Sequence, residues 1–185
     1  LPIVVDDAPA APSEVAARVR ARKADFAAGR ARDDDGNLFP KCRMQLAIGD
    51  HLQRLAGQMT HIRDKFERIA ATSNGWLVEV AKGCDVATLL LSQMNRGVED
   101  ADRTKGKRIR WPRKSDLYGA SEIEQDADTI IAVHRPELVD DDCPEAWRGL
   151  AGIVKLKGRF GGDHHVRAVR ADKGCFTDDV ATPDH

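Results

Sequence analysis

The sequence predicts an α/β protein, a mostly parallel sheet flanked by helices and finished by an antiparallel C-terminal edge. Three observations lead there. Compact apolar runs at residues 44–49 and 86–91 have the length and composition of buried parallel strands. Between them, apolar residues at helical spacing over 62–81 give a long amphipathic helix. Beyond residue 150 the pattern turns to alternation around paired glycines, Gly161 and Gly162, which is the pattern of a hairpin.

In chain order, Ile3, Val4 and Val5 form a short strand closed by Asp6 and Asp7, and Pro9 and Pro12 lead into a helix. Ser13 is its expected N-cap, with Glu14 just behind it, and Val15, Val19 and Phe26 space an Ala- and Arg-rich stretch that fades at Gly29. After a loop at 33–40 comes the strand that ends in Asp50, then the amphipathic helix closed by Gly83. The next strand ends in Ser92, Gln93, Met94, Asn95 and Arg96, polar groups at the edge where open α/β sheets bind ligands. Residues 103–114 have no periodicity and carry Lys105, Lys107, Arg108, Arg110 and Arg113 around Trp111 and Pro112, the composition of a mobile basic loop. A short helix over 117–125, a strand over 129–133 and an acidic irregular stretch at 136–147 follow. Residues 152–156 and 166–169 then make the antiparallel pair, with Cys175 and Phe176 on a last edge.

Length and composition bound the function. A chain of 185 residues with 42% hydrophobic content buries one core, so a single domain over 1–185 is expected. Lys plus Arg (29) and Asp plus Glu (30) nearly cancel, so only local charge can point to a nucleic acid. Cys42, Cys84, Cys143 and Cys175 make no CxxC pair, which reads as reduced thiols rather than a zinc or redox site. No apolar run approaches the roughly 20 residues of a membrane helix, and no signal-peptide pattern opens the chain. A cytoplasmic protein without membrane contact is expected. Leu1 without an initiating Met reads as the start of a fragment.

Taken alone, the candidate residues all admit an ordinary structural reading. Asp50, behind an apolar strand, has the Walker B arrangement, in which a strand-edge carboxylate holds Mg²⁺ through water, yet strands also end in Asp as a turn residue or helix cap. Gln93 reads by position as a polar strand cap. Lys155, Lys157 and Arg159 alternate like the solvent face of a strand, and the basic run is a solvated loop or a phosphate-gripping one. His51 reads as a packing or loop residue, and His164 and His165 as hairpin surface.

Three strings, in order, add a resemblance. AIGDHLQRL (47–55), LLLSQMNRGVE (89–99) and SDLYGASEIEQDADTII (115–131) together resemble the DnaB family of replicative DNA helicases. The first is similar to its Walker B segment, the second to its sensor motif, the third to its DNA-facing loop and helix. IEQDAD (123–128) is the most specific, because no rule of helix or strand formation demands that hexapeptide. Residues 1–9 resemble the family's strand and DD-x-P turn, and IVKLKGRFG (153–161) its IxAKxRxG strand.

The resemblance implies a RecA-like fold and an ATP-dependent (or other NTP-dependent) helicase that uses Mg²⁺, forms a homo-oligomeric ring, expected to be a hexamer, and translocates on single-stranded DNA to unwind duplex. Primase or a helicase loader is an implied further partner, and a phage or prophage origin fits the same family. Asp50 would hold Mg²⁺ through water and, with Gln93 and Arg159, bind nucleotide. Gln93 would sense the terminal phosphate and Arg159, with Lys157 beside it, would reach the neighbouring subunit's site as the arginine finger. The DNA loop, residues 97–121, would contact DNA through Arg108, Arg110, Arg113, Lys114, Tyr118, Gly119 and Ser121. There the chain has Tyr118, Gly119, Ala120 and Ser121 where the family has an Arg-Glu-Ser-Gly string.

No GxxxxGK[ST] occurs in the sequence; Gly106 and Lys107 come closest, but Arg108 follows them. The resemblance implies that this loop and the catalytic glutamate precede Leu1, so these residues alone are expected not to hydrolyse ATP. Two other readings are a RecA-like nucleic-acid-binding or ring-interaction module that never had ATPase activity, and a recombination ATPase of the RecA or RadA kind.

Overall fold

The computed structural model describes residues 3–33, 35–95, 109–140, 142–159, 161, 165–172 and 175–183. They fall into two compact units, Leu1–Gln93 and Met94–His185.

In the first unit, helix α1 spans Pro12–Ala28. Its cap is Ala11, not Ser13: the proline ring fixes Pro12 at the first helical position, and the Ala11 N–H donates to Glu14 Oε2 at 3.0 Å. Gly29 ends the helix in the left-handed region at φ 69°. Strand β1 is Leu46–Gly49, shorter than the expected run, and the short helix α2, Leu52–Ala56, follows. Asp64 caps helix α3, Lys65–Gly75, by accepting the Phe66 and Glu67 N–H groups at 2.8 Å. The helix then widens into a π-helical segment, Trp76–Lys82, which aims Trp76 and Val80 at the core. The apolar stripe is less even than its spacing suggests, for Phe66 is 56% exposed.

Strand β2, Ala87–Leu90, pairs parallel with β1 in a two-stranded sheet. Ala16, Val19, Ala47, Trp76, Val80, Cys84 and Val86 pack beneath it. Ile3, Val4 and Val5 do not form the expected strand. They make no ladder among the described residues and stay exposed, because nothing there supplies hydrogen-bond partners to an extended segment.

In the second unit, helix α4 is Ala120–Asp126 and strand β3 is Thr129–His134. Strands β4 (Leu150–Gly158), β5 (His165–Asp172) and β6 (Cys175–Val180) complete a sheet ordered β3-β4-β5-β6, antiparallel throughout. The hairpin turn contains Gly161 at φ 88°, as a reversal there requires; Gly162 and His164 lie outside the described residues. His165 is exposed on β5. The described strands thus form two sheets rather than one, because β3 takes β4 as its hydrogen-bonding neighbour and β2 takes β1.

The basic segment reads as a mobile loop from its composition, but Ile109, Trp111 and Pro112 of its described part pack into the second unit. Ile109 is 5% exposed and Pro112 is among the fully buried side chains. Trp111 packs edge-on against Trp147 (ring centroids 4.8 Å apart) and His134 (5.6 Å). Gly152 of β4 makes this possible: a Cβ there would lie 2.4 Å from the Trp111 ring.

Candidate functional site

In the first unit the register sets the site. Gly49 of β1 is level with Leu90 of β2, the Leu91 N–H donates to Gly49 O at 2.9 Å, and the Leu52 N–H donates to Leu91 O at 2.8 Å. Asp50 and the Ser92-Gln93 pair therefore leave the same C-terminal edge of two neighbouring parallel strands. Asp50 presents its carboxylate to solvent (75% exposed), with His51 Nδ1 3.7 Å from Oδ1, and the peptide joining them is cis. Gly49 beneath it has no room for a side chain, because a Cβ would meet Trp76 and Leu90 at 2.8 Å. The carboxylate thus stands on a tightly packed strand end.

Nothing in the sequence pattern singles out Gln53. Its Oε1 accepts the Gln93 N–H at 3.0 Å and its Nε2 donates to Ser92 Oγ at 3.0 Å, so the first turn of α2 fastens the end of β2 beside Asp50. It is the third residue after Asp50 in AIGDHLQRL, in an element whose face toward β2 the sequence alone does not define. Among the described residues no three His, Cys, Asp or Glu converge on a possible metal position, so this unit offers Asp50 as a lone carboxylate.

In the second unit, Lys157 and Arg159 leave the end of β4 and both engage the IEQDAD segment. Arg159 Nη1 pairs with Asp128 Oδ1 at 2.7 Å, and its backbone N–H donates to Asp128 O at 2.9 Å. Lys157 Nζ donates to Ala127 O at 2.7 Å and to Glu124 O, occupying carbonyls at the C-terminal end of α4.

Of the DNA-loop residues, Arg108 lies outside the described residues, as does Arg96 of the sensor string. Arg110 faces Asp140 at 3.5 Å, both side chains largely buried (15% and 12% exposed). Lys114 Nζ pairs with Glu124 Oε1 at 3.0 Å. The Arg113 side chain is exposed, while its N–H donates to the buried Asp116 at 2.7 Å. Tyr118 is half-buried, Gly119 takes the left-handed region at φ 84° to start α4, and the exposed Ser121 donates to Glu122 at 2.6 Å. The structure therefore gathers Lys114, Lys157 and Arg159 around one helix end and turns Arg110 inward.

Against this geometry, the family model of the DnaB-like helicase C terminal domain matches residues 1–171. The chain belongs to that family. It is 32% identical over 124 residues to the replicative DNA helicase DnaB of Mycobacterium leprae, covering 67% of this chain and 19% of that protein. To the DnaB of Leifsonia xyli it is 31% identical over 142 residues, 70% of this chain and 29% of that protein. A probable plasmid replicative DNA helicase of Chlamydia psittaci is 34% identical over 112 residues, 60% and 22% of the two chains. This DnaB-like domain thus spans less than a third of the length of these curated relatives.

Two solved structures share its fold. The ATPase domain of G40P superposes with a TM-score of 0.70 at 22% identity, over 94% of this chain and 53% of that one. A DnaB-like replicative helicase, solved in a study of its interactions with primase, gives 0.67 at 21%, over 93% and 36%. The α/β fold of this DnaB-like domain is the fold of these two structures. No helix among its described residues is long and apolar enough to cross a membrane.

Proposed function

We propose that this DnaB-like domain works within an ATP-dependent replicative helicase, a hexameric ring that moves along single-stranded DNA and separates duplex. The observation that carries this reading is the shared strand edge bearing Asp50 and Gln93, with Gln53 fastening the two strand ends. Nucleotide would lie at that edge. The donor set fits a magnesium ion, which typically takes one or two carboxylates, water and phosphate oxygens rather than an all-protein cage. Asp50 would hold it through water, and bound there it would neutralise charge on the phosphates.

The remaining roles belong to the chain's own groups. Gln93, a neutral amide that both donates and accepts, would register the terminal phosphate. Arg159, permanently charged and forked, would reach the nucleotide of an adjoining subunit, with Lys157 beside it. Arg108, Arg113, Lys114, Tyr118, Gly119 and Ser121 form the proposed DNA face, and primase or a loader is a partner in keeping with replication. The family match running through both compact units supports treating 1–171 as one functional domain. Since no GxxxxGK[ST] occurs in the sequence, we propose that the 185 residues by themselves do not turn over ATP.

Subunit mixing in the full-length helicase carrying this domain tests the reading. Asp50→Ala and Arg159→Ala rings should each lose most ATP turnover. Mixed rings should regain part of it, because an Asp50→Ala subunit still offers Arg159 to a neighbour whose own Asp50 is intact. Unchanged turnover in either single variant removes that residue from the site, and mixed rings as inactive as the parents remove the shared-site arrangement.

A further inference from the structure

The IEQDAD segment, residues 123–128, is the most specific string in the sequence, yet the roles proposed above use none of its side chains. The structure gives it one. Ile123 packs against the core of the second unit, and Glu124 holds Lys114 by its carboxylate and Lys157 by its carbonyl. The Ala127 N–H donates to Ile123 O at 3.0 Å while Ala127 O accepts Lys157 Nζ, and Asp128 receives both the guanidinium and the backbone N–H of Arg159. Asp128 thus sits on a turn tied down at both sides, and its carboxylate is aimed at the side chain proposed to act on a phosphate.

The magnitude of that contact decides what it can do. A buried ion pair costs several kcal/mol to break and holds its partner permanently. The Arg159–Asp128 pair is instead open to solvent, its side chains 69% and 65% exposed, and exposed pairs contribute only about 0.2–1 kcal/mol. Such a contact fixes the direction of a long side chain without preventing its departure. A polyphosphate, with several negative charges and a matching oxygen geometry, forms stronger charge-assisted bonds to the same guanidinium. Lys157 differs: half-buried and donating to two carbonyls, it stays to hold α4 against β4.

We propose that Asp128 is a positioning residue that parks the Arg159 guanidinium on the IEQDAD turn and surrenders it to phosphate in competition. The inference deepens the role proposed for Arg159 but is tested without a neighbouring subunit. In the intact chain, inorganic tripolyphosphate is titrated while the Arg159 Nε–Hε resonance is followed by nuclear magnetic resonance. The wild-type signal should shift saturably. In Asp128→Asn, which removes the competing charge, the apparent affinity at Arg159 should rise by about two- to five-fold, and Asp128→Glu should return it toward the wild-type value. Unchanged amide exchange along β4 verifies that the variants keep the fold. Equal affinity in wild type and Asp128→Asn, or an Arg159 signal that never responds, overturns the parking role. Inactive mixed rings alongside a tighter Asp128→Asn would instead reject the shared-site arrangement and leave the parking role standing.

Discussion

Gln53 holds Gln93 by its backbone and not by its side chain: the Gln93 N–H donates to Gln53 Oε1 at 3.0 Å, and the same amide's Nε2 donates to Ser92 Oγ at 3.0 Å. The Gln93 side chain is thereby left to point wherever a ligand requires, while the peptide that carries it is fixed beside Asp50. Each such hydrogen bond contributes on the order of 1 kcal/mol net. Gln53→Leu, which loses both, should destabilise the protein by about 1–2 kcal/mol and speed hydrogen exchange at the Gln93 amide. Gln53→Glu keeps the acceptor for Gln93, and the Ser92 hydroxyl can turn to donate to the new carboxylate, so its loss should be smaller. A Gln93 amide as well protected in Gln53→Leu as in wild type would remove the clamp.

Two arginines of the proposed DNA loop, three residues apart, should separate on mutation. Arg110 faces Asp140 in a largely buried pair, whereas the Arg113 side chain lies in solvent. Arg113→Ala should therefore weaken single-stranded DNA binding by the full-length helicase and lower the slope of log affinity against log salt by about 0.7, the release expected for one phosphate contact. Arg110→Ala should act mainly on folding, because it leaves the Asp140 carboxylate buried without its cation, costing about 1–3 kcal/mol. The check is a salt series of DNA titrations beside denaturant unfolding. If Arg110→Ala changes the salt slope and leaves stability intact, Arg110 contacts DNA and the Asp140 pair is incidental.

The split between these arginines marks where sequence reading reaches its limit. Strands β1 to β5 and helices α1 and α3 were legible because apolar period and length specify them locally. So was the shared edge of Asp50 and Gln93, since parallel strands of similar length end together. The packing of Trp111 was hidden: a tryptophan among cations reads as loop until Gly152, 41 positions later, supplies the flat surface it lies on. The ion pairs were hidden for the same reason. Lys157 and Arg159 alternate on a strand as solvent-facing cations do, and only the fold brings the end of α4 beneath them. Tertiary contacts of that kind leave no period in the sequence. Gln53 escaped differently, as a residue of ordinary type on a helix too short to show a face.

His134 gives the second unit a pH dependence whose sign follows from its surroundings. It lies 5% exposed on β3 against Trp111, and its Nε2 is buried with no hydrogen-bond partner among the described residues. Burial lowers its pKa from 6.5 to about 4, against the opposing pull of the Asp116 and Asp140 carboxylates. Between those two values the unfolded chain binds a proton that the folded chain refuses, so stability rises with pH across the window. The contribution is intact above pH 6.5 and is lost progressively as the pH falls toward 4. At about 1.4 kcal/mol per unit, the loss should be about 2 kcal/mol by pH 5. His134→Phe keeps a ring for Trp111 to meet and removes the titration, so its unfolding free energy should be flatter than wild type by that amount between about pH 7 and pH 5. Denaturant unfolding curves at those two pH values make the comparison. Parallel pH profiles would mean that His134 takes up its proton in the folded state, and that Asp116 or Asp140 moves in to receive it.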